Sequence, residues 1–550
     1  MKKKMRNKIN EMHKSGRVGV VQGAVRVRFV ACFVVLGVLL ALLFFSACSP
    51  ASEQKPVVEP ERDIVIMGLK SGIFGFHPWM GNYETSTMGV NFNIFNSLVE
   101  FDPNYKVLPA LAESWENPDS LTWRFHLRHG VKFHNGDIFN AEDVKYTLDR
   151  IKNDENSVLR DLLASVTSVN VIDEYTVDIK TDQPFPIMLN KLVDIFIASK
   201  EYQTSPGVEE KQWPIGTGAY RLFEYLPGDQ IVLERFDDYW GGAPQIKKAV
   251  FKVITNDNER VNALLAKQID FAEFVPAERV QEISENEDFH VVTFPTTRVI
   301  FMSFDFRDKG SYGFPDGKNP FTDVRVRKAI YYAIDEEKII KDIMKGVAEP
   351  ASQFVVPSVF GHDPSIMRPS YDLEAAKALM KEAGYEEGFS VTFDCSNDRY
   401  VNDEAICREI ARQLKDININ VIVNAQPKAI FFPQLDVHNT SMYMMGWATD
   451  TGDGGEIFDY MLNTYTPGGK GSYNHGFYSN PKVDELGEKS SRVIDPAERL
   501  RIMQEGFRIA MDDAVWVPLH IQDSIYGFAA DIEWTPRMDS EIKLEYVKIR

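Results

Sequence analysis

The sequence predicts an α/β protein built from more than one domain. Strand-like and helix-like segments alternate from residue 63 to the C-terminus, a pattern typical of α/β architecture. The chain has 550 residues, which is too long for a single hydrophobic core, so we expect about two to four domains. Hydrophobic residues at 44% and charged residues at 26% are ordinary for a globular protein.

The first strand is predicted at Asp63–Met67, where a short run is apolar on both faces. Further strands are indicated by period-two alternation or by short apolar runs between turn residues. They are Tyr175–Lys180, Ile231–Phe236, Ala249–Ile254, Ser390–Asp394, Ile419–Val423, Ser441–Trp447 and Val515–Ile521.

Three predicted helices have clear start signals. The expected N-caps are Asn140 before "AEDVKYTLDRI", Thr322 before "DVRVRKAIYYAI" and Asp372 before "LEAAKALMKEAG". Short polar side chains suit these positions because they accept hydrogen bonds from the free amides of the first helical turn. Gly384 follows the third helix and is expected to end it in the left-handed conformation.

The N-terminal 47 residues differ in composition from the rest of the chain. Nine basic side chains precede a continuous apolar run over residues 29–45, which is short for a membrane span and is typical of a secretory signal peptide. The sequence "FSAC" at its end resembles a lipobox, in which a peptidase cuts before a cysteine that then carries lipid. We therefore expect a signal peptide over 1–47, lipidation of Cys48, a tether over 48–62 and a location outside the cytoplasm. A simple N-terminal membrane anchor is the alternative.

The formal net charge of −19 argues against a nucleic-acid partner, because phosphate binding needs a basic face. Residues 1–47 contain nine basic side chains and one acidic one, so cleavage before Cys48 leaves a net charge of −27. Such a surface suits solubility and repels anions at long range. Cys395 lies at a predicted strand end and Cys407 inside the next helix, and the sequence leaves a disulfide between them open.

One segment has a specific signature: "AESWENPDSLTWRFHLRHGVKFHNGDIFNAEDVKYTLDR" at residues 112–150. It resembles the signature of family 5 extracellular solute-binding proteins, the oligopeptide- and dipeptide-binding components of ABC importers. Other stretches are similar to family segments in the same order. These are "PIGTGAYRL", "FDDYWGGAP", "DVRVRKAIYYAID", "YDLEAAKALMKEAGY" and "MYMMGWATDTGDGGEIFDYM". The resemblance covers essentially all of residues 63–550.

The resemblance implies a two-lobed periplasmic-binding-protein fold of type II, with an extra subdomain and a hinge between discontinuous lobes. The chain would cross between the lobes near Arg298 and Ile521. The implied boundaries are 63–95, 213–298 and 522–550 for lobe I, 96–212 for its added subdomain, and 299–521 for lobe II.

The stretch Met442–Met461 contains the main candidate site. A predicted buried strand ends at Trp447, and the loop after it carries Asp450 and Asp453 among glycines. A calcium loop is disfavoured, because the alternate positions after Asp450 are glycines without side-chain oxygens. A catalytic carboxylate pair is also disfavoured, since the sequence shows no nucleophile elbow, no Ser-His-Asp order and no zinc-helix motif. We therefore expect no catalytic residue, no metal and no cofactor.

The third interpretation is an anchor for a positively charged group of a ligand. An ammonium group removed from water in a closed cleft needs a fixed anion, or its desolvation costs several kcal/mol. In the peptide-binding members that this sequence resembles, an aspartate three residues after a tryptophan takes the α-amino group of the ligand. Trp447 and Asp450 match that spacing, which implies that Asp450 anchors the amine and that Trp447 is a wall of the adjoining pocket. Asp453 is either a further ligand-binding residue or a helix cap.

The loop "HPWMGNYETS" at residues 77–86 resembles the cleft-facing loop of the family. The resemblance implies that Asn82 and Tyr83 contact the ligand, although an exposed turn would look the same. Family members often have an Asp-Pro pair after the anchor, whereas Asp453 is followed here by glycines. This departure leaves room for a ligand other than an ordinary peptide.

Together these observations predict a lipid-anchored extracytoplasmic protein that captures a peptide or similar amine-bearing solute and delivers it to an ABC permease in the membrane. We expect a monomer that binds its ligand without ATP or a metal. The alternatives are the same fold binding a nickel complex, haem or a sugar conjugate, a sensor or adhesin without a transporter, and a secreted hydrolase.

Overall fold

A computed structural model describes residues 62–550, apart from 80–84, 156, 208–212 and 315–316. The predicted signal peptide and Cys48 lie outside the described residues. The described strands are β1 (Ile64–Leu69), β2 (Val99–Phe101), β3 (Val107–Pro109), β4 (Ala112–Asp119), β5 (Thr122–Leu127), β6 (Val166–Asp173), β7 (Thr176–Thr181), β8 (Tyr220–Leu226), β9 (Gln230–Arg235), β10 (Lys248–Val253), β11 (Phe271–Ala272), β12 (Phe289–Phe304), β13 (Ala348–Pro350), β14 (Phe389–Ser396), β15 (Ile419–Gln426), β16 (Met442–Ala448), β17 (Trp516–Ala529), β18 (Ile532–Glu533) and β19 (Lys548–Ile549).

The described α-helices are α1 (Thr85–Ile94), α2 (Ala141–Asn153), α3 (Met188–Leu192), α4 (Lys200–Gln203), α5 (Asp257–Leu265), α6 (Val280–Ser284), α7 (Val324–Ala333), α8 (Glu336–Asp342), α9 (Leu373–Glu382), α10 (Asp403–Leu414), α11 (Lys428–Asp436), α12 (Pro481–Ser490) and α13 (Pro496–Asp512). A π-helical segment, Ile457–Leu462, follows the candidate loop. Within the described ranges, no helix combines the length and apolar character that crossing a membrane requires.

Most of the described strands belong to one mixed sheet. Its strand order is β15-β14-β16-β12-β17-β11-β1-β10-β9-β8, and β13 pairs with β17. The sheet therefore has two halves, one containing β14–β16 and the other containing β1 and β8–β11, with β12 and β17 between them.

The two central strands are long and antiparallel. Their pairing runs from Phe289 opposite Ala529 to Ser303 opposite Trp516, with a register shift between Pro295 and Val299 and a second one between Ile300 and Phe301. Beyond the first shift, β12 pairs on its other edge with β16, so that residue 298 lies opposite residue 448. Residues 298 and 521, where the chain is expected to cross between the lobes, lie on these two strands, and the crossings and lobe boundaries stay a prediction.

A separate four-stranded antiparallel sheet has the order β4-β5-β7-β6. In β5, Trp123, Phe125 and Leu127 are buried, as the alternation of apolar and polar residues requires. On the other face of β5, Arg124 forms a bidentate pair with Asp178 of β7, with N–O distances of 2.7 and 2.9 Å. This sheet and α2 lie inside the range predicted for the added subdomain.

The apolar core is divided into clusters. One cluster packs around β1, α1 and β8–β11. A larger cluster contains buried residues of both the four-stranded sheet and the β14–β16 half of the main sheet. A continuous set of apolar contacts therefore connects the four-stranded sheet with the half of the main sheet that carries the candidate loop.

The predicted strands are present with shifted ends. The largest shift is at β17, which the sequence pattern ends at Ile521 but which continues to Ala529. Gln522 and Asp523 interrupt the apolar run, whereas the strand continues because β12 still provides hydrogen-bonding partners. The hydrophobic periodicity of the sequence does not predict this long-range strand pairing.

Two of the three predicted helix caps are confirmed. Asn140 accepts from Glu142 N and forms a capping box with Asp143, and Asp372 accepts from Ala375 N at 2.9 Å. Gly384, with φ of +79°, follows α9 as expected. The remaining helix is present, but the N-cap predicted for it was wrong.

The cap of α7 is Asp323 rather than Thr322. The Asp323 side chain accepts from Arg325 N at 2.9 Å, while Thr322 ends the preceding 3₁₀ turn. Both residue types are good caps, so the sequence pattern could not separate two neighbouring candidates.

Cys395 on β14 and Cys407 on α10 are free thiols, and both are fully buried. Cys407 Sγ lies 3.6 Å from Met444 Sδ on β16. Burial, together with a hydrogen bond to the Cys395 thiol, raises the pKa of Cys407 well above its usual value. The strand end and the helix are thus adjacent in space, and the thiols are inert in the folded protein.

Candidate ligand-binding site

The candidate loop leaves the main sheet at the end of β16 and is fixed by its backbone. Phe360 N donates to Gly452 O at 3.0 Å, and Gly454 N donates to Phe360 O at 2.7 Å. The side chains of Thr449 and Thr451 are buried, whereas that of Asp450 between them is exposed. The fold therefore holds the loop rigidly and leaves this carboxylate available.

Asp450 faces a small crevice, with a cavity of about 120 Å³. The crevice lies between Asp450, the pair Val193 and Asp194, and the C-terminal segment 537–543. Within the described part of the chain, the Asp450 carboxylate has no hydrogen bond or ion pair. Burial raises the pKa of Asp450 although water reaches the side chain, because protein walls surround the crevice.

Three cations lie near Asp450 and favour its ionised form: Arg298, Lys191 and Arg399. The guanidinium groups of Arg298 and Arg399 lie 6.0 and 5.4 Å from the ring centroid of Tyr400. Among the residues that the structure describes, neither guanidinium is paired with a carboxylate. The site thus offers an unpaired anion and unpaired cations, as a zwitterionic guest requires.

Tyr400 is held in place by the strand that leads to the loop. Its hydroxyl donates to Gly446 O at 3.2 Å. A Cβ at Gly446 would lie 2.9 Å from the Tyr400 ring, so only glycine allows this close contact. The ring under the two guanidinium groups is therefore part of the rigid scaffold.

Trp447 stands at the start of the loop in an aromatic group. Its ring centroid lies 5.6 Å from that of Tyr460 and 5.1 Å from that of Tyr473. Both tyrosines are partly exposed, at 38% and 41%. The Trp447 indole nitrogen is buried without a hydrogen-bond partner among the described residues. Trp447 is not among the side chains that line the crevice at Asp450, so its role as a pocket wall stays a prediction.

Asp453 has a different environment from Asp450. It is 3% exposed and forms a bidentate pair with Arg499, in which Nη2 lies 2.8 Å from Oδ1 and Nη1 contacts Oδ2. Its Oδ1 also accepts from Gly455 N at 2.8 Å. Both oxygens are occupied by this arrangement, which fixes the turn after the loop, and a contribution of Asp453 to ligand binding stays a prediction.

Two contacts join the loop to the region of the four-stranded sheet. Asn190 Nδ2 donates to Thr451 O at 2.7 Å. Gly452 has φ of +64°, and a Cβ there would lie 2.7 Å from the Tyr105 ring. Tyr105 also lines the crevice, so the second contact places the loop backbone against one of the crevice walls.

The structure brings together acidic residues that the sequence patterns do not reveal. Asp194, Asp539 and Glu541 line the crevice with Asp450, but no local motif marks them. Asn82 and Tyr83 lie outside the described residues, so their predicted ligand contacts are untested. Within the described ranges, no three His, Cys, Asp or Glu side chains are grouped so that they could hold a metal ion.

Comparison with known proteins identifies the family. The model for bacterial extracellular solute-binding proteins, family 5 Middle, matches residues 106–469. The chain belongs to this family. The predicted family and the predicted α/β periplasmic-binding-protein fold are therefore confirmed, and the protein is an extracytoplasmic solute-binding protein.

The chain is similar along most of its length to several proteins whose names give a ligand. The glutathione-binding protein GsiB from Salmonella typhimurium is 28% identical over 484 residues, which is 85% of this chain and 91% of the relative. DppA from Helicobacter pylori, in complex with the peptide STSA, is 23% identical with a TM-score of 0.69, covering 88% of this chain and 98% of DppA. A dipeptide-binding protein from Pseudoalteromonas sp. SM9913, in complex with Met-Leu, is 21% identical with a TM-score of 0.70, covering 88% and 100%.

Proposed function

We propose that this family 5 protein captures a peptide or similar amine-bearing solute at Asp450 and delivers it to an ABC permease. One observation carries the proposal. The Asp450 carboxylate has no hydrogen-bond partner among the described residues, faces the crevice and has unpaired guanidinium groups near it. A peptide with free termini supplies both an ammonium and a carboxylate group.

The energetics favour such a guest. Water reaches the Asp450 carboxylate in this structure, and a ligand that covers it costs that hydration unless a hydrogen bond replaces it. An ammonium group at Asp450 would replace that hydration with a charge-assisted hydrogen bond, which is about twice as strong as a neutral one. Arg298 and Arg399 could take a carboxylate in the same way, and planar guanidinium groups suit bidentate contacts.

The relatives support the proposal through the ligands in their names. GsiB is named for glutathione, itself a peptide with free amine and carboxylate groups, and two structural neighbours hold the peptides STSA and Met-Leu. These ligands share the zwitterionic character that the charges around Asp450 match.

We propose that the role is binding without catalysis. The described side chains that line the crevice are carboxylates, two cations, a tyrosine and apolar groups. They include no serine, cysteine or histidine that could serve as a nucleophile with its base. The further elements of the proposal are a monomeric protein and anchoring to the membrane through a lipid on Cys48.

The direct test is to modify the ends of a probe peptide. Calorimetric titration would compare Nle-Ala-Ala with its N-acetylated and C-amidated forms, where Nle is norleucine. N-acetylation is expected to weaken binding by about a hundredfold or more, because it removes the positive charge that Asp450 would hold. Equal affinity of the free and acetylated peptides would overturn the assignment of this site. Native mass spectrometry of the purified protein would identify the solute that co-purifies.

A further inference from the structure

The crevice at Asp450 contains more carboxylates than one ammonium group requires. Four carboxylates line it: Asp194, Asp450, Asp539 and Glu541. The cations in the same lining are Arg537 and Lys543. The charge left for a ligand depends on how many of the carboxylates those cations neutralise.

Both cations already have partners. Arg537 Nε donates to Asp539 Oδ1 at 3.0 Å, and Lys543 Nζ donates to Glu100 Oε2 at 2.6 Å. Arg537 and Lys543 are each 4% exposed, so these are buried pairs whose geometry is fixed. Only Asp539 among the four carboxylates is neutralised in this way.

Asp194 and Glu541 therefore remain without a partner alongside Asp450. Within the described part of the chain, no cation lies within ion-pair distance of either side chain. Burial comes first among the causes that raise the pKa of Asp194 to about 7, and Asp450 comes second. Burial and then Asp539 raise the pKa of Glu541 well above its usual value. A raised pKa is expected for a buried carboxylate that lacks a counter-ion.

A second observation in the crevice, independent of the carboxylates, also points to a ligand. Tyr105 is 9% exposed and lines the cavity, yet its hydroxyl has no hydrogen bond within the described residues. After burial, the charges of Asp539, Asp450, Glu541 and Asp194 raise the pKa of Tyr105, so this hydroxyl lies among all of them. The hydroxyl oxygen is accessible although most of the side chain is buried, so a polar group of a ligand in the cavity would provide the partner that such hydroxyls usually have.

The remaining walls are apolar. Met88, Phe92, Phe101 and Val193 line the same cavity. Its volume of about 120 Å³ is about that of four water molecules, which suits one side chain rather than a whole peptide. An aliphatic stem ending in a cation matches apolar walls with carboxylates between them, since lysine and arginine combine these two characters.

We propose that the crevice binds the side chain of a cationic first residue, so that preferred ligands begin with a lysine- or arginine-like group. Asp450 takes the α-ammonium group, and Asp194 and Glu541, with the Tyr105 hydroxyl, take the side-chain cation. This inference rests on the proposed function, because it assumes that the amine end of the ligand lies at Asp450.

The test compares two peptides that differ mainly in one charge. Lys-Ala-Ala and Nle-Ala-Ala have first side chains of similar length, but only lysine carries an ammonium group there. Calorimetric titration of the full mature protein is expected to show the lysine peptide binding about ten- to a hundredfold more tightly. The double variant Asp194→Asn/Glu541→Gln, which keeps the shape of both side chains, is expected to reduce this ratio to about one while leaving Nle-Ala-Ala within about threefold.

A matched control removes two charges elsewhere. Asp416 and Glu387 are exposed and lie outside the crevice lining, so Asp416→Asn/Glu387→Gln is expected to keep the lysine preference. The comparison of the two peptides uses the unchanged protein, so its result does not depend on whether a variant folds. Binding of Nle-Ala-Ala as tight as or tighter than that of Lys-Ala-Ala would overturn the inference and leave the proposed function standing. Failure of both peptides to bind the folded protein would overturn the proposed function and this inference together.

Discussion

Asn190 donates a 2.7 Å hydrogen bond from its side-chain amide to the carbonyl oxygen of Thr451. This bond joins the region of the four-stranded sheet to the residue that follows Asp450. It therefore couples the position of the candidate anchor to a part of the chain some 260 residues earlier in the sequence. We therefore expect closure of the protein around a ligand to be coupled to the position of the carboxylate.

The contact between Gly452 and Tyr105 provides a test of that closure. In Gly452→Ala, the new Cβ would lie 2.7 Å from the Tyr105 ring, and the residue would keep φ of +64°. We expect ligand affinity to fall by about tenfold or more, because the closed state would be destabilised. Calorimetric titration with Nle-Ala-Ala would measure it.

A matched control separates the collision from backbone strain. Gly468 has φ of +70°, and a Cβ added there would meet nothing within 4 Å, so Gly468→Ala carries the left-handed penalty alone, about 1–2 kcal/mol. It is expected to lower the free energy of unfolding and leave affinity unchanged. Equal effects of both variants on affinity would contradict a role for the Gly452 contact in closure.

The Asp453–Arg499 pair is expected to stabilise the loop. Arg499→Ala would leave a buried carboxylate without a partner, which typically costs about 3–5 kcal/mol of unfolding free energy. Urea denaturation would measure the change. Arg408→Ala is the control, since Arg408 pairs with Glu404 on the surface and such pairs contribute about 0–1 kcal/mol. A loss below about 1 kcal/mol in Arg499→Ala would show that this pair does not fix the loop.

The acidic groups near Asp450 predict an unusual pH dependence of the unliganded protein. Burial raises the pKa of both Asp194 and Glu456 to about 7, with Asp450 adding to the effect and Lys191 opposing it. Their ordinary values are 3.8 and 4.5, so the folded state binds more protons than the unfolded state between these limits. Each group then lowers the free energy of unfolding as pH rises from about 4 to 7, by at most about 1.4 kcal/mol per pH unit.

The measurement is denaturant unfolding between about pH 5 and pH 8. Asp194→Asn is expected to flatten the loss of stability at higher pH, because the amide does not titrate. The difference between the pH profiles of the variant and of the unchanged protein gives the contribution of Asp194 to stability. It separates that contribution from those of the other acidic groups near it, Asp450, Glu456 and Asp539. Identical profiles for the variant and the unchanged protein would contradict the electrostatic description of the crevice.

The proposed lipid anchor predicts a simple result for Cys48. Expressed in a bacterium that processes lipoproteins, the full chain is expected to incorporate labelled palmitate and to partition into the membrane fraction. Cys48→Ser should lose the label, whereas Cys32→Ser, within the apolar run, should keep it. Label retained in Cys48→Ser would contradict cleavage before residue 48 and favour an uncleaved anchor.

Local sequence patterns predicted much of the secondary structure but not the composition of the site. The strand before Asp450, the Asn140 cap and the end of α9 at Gly384 follow from the side chains of neighbouring residues, and the structure shows each of them. Asp194, Asp450 and Glu541 meet only because distant parts of the chain pack together. No periodicity or spacing in the sequence records that proximity.

The two aspartates of the loop show the same limit at short range. Asp450 and Asp453 lie three residues apart in one glycine-rich stretch, so the local composition does not distinguish them. Arg499 on α13 forms an ion pair with Asp453, whereas Asp450 is unpaired among the described residues. Position in the tertiary structure, rather than residue type, decides which carboxylate is available.

The role of Asp450 as the amine anchor is tested by the affinity of Asp450→Ala for a peptide with a free amino group. The variant is expected to bind Nle-Ala-Ala about a hundred- to several-thousandfold more weakly than the unchanged protein, which corresponds to about 3–5 kcal/mol. Asp416→Ala, which removes an exposed carboxylate outside the crevice, is expected to bind as the unchanged protein does. Unaltered affinity of a folded Asp450→Ala protein would contradict the account, because the ammonium group would then be held elsewhere.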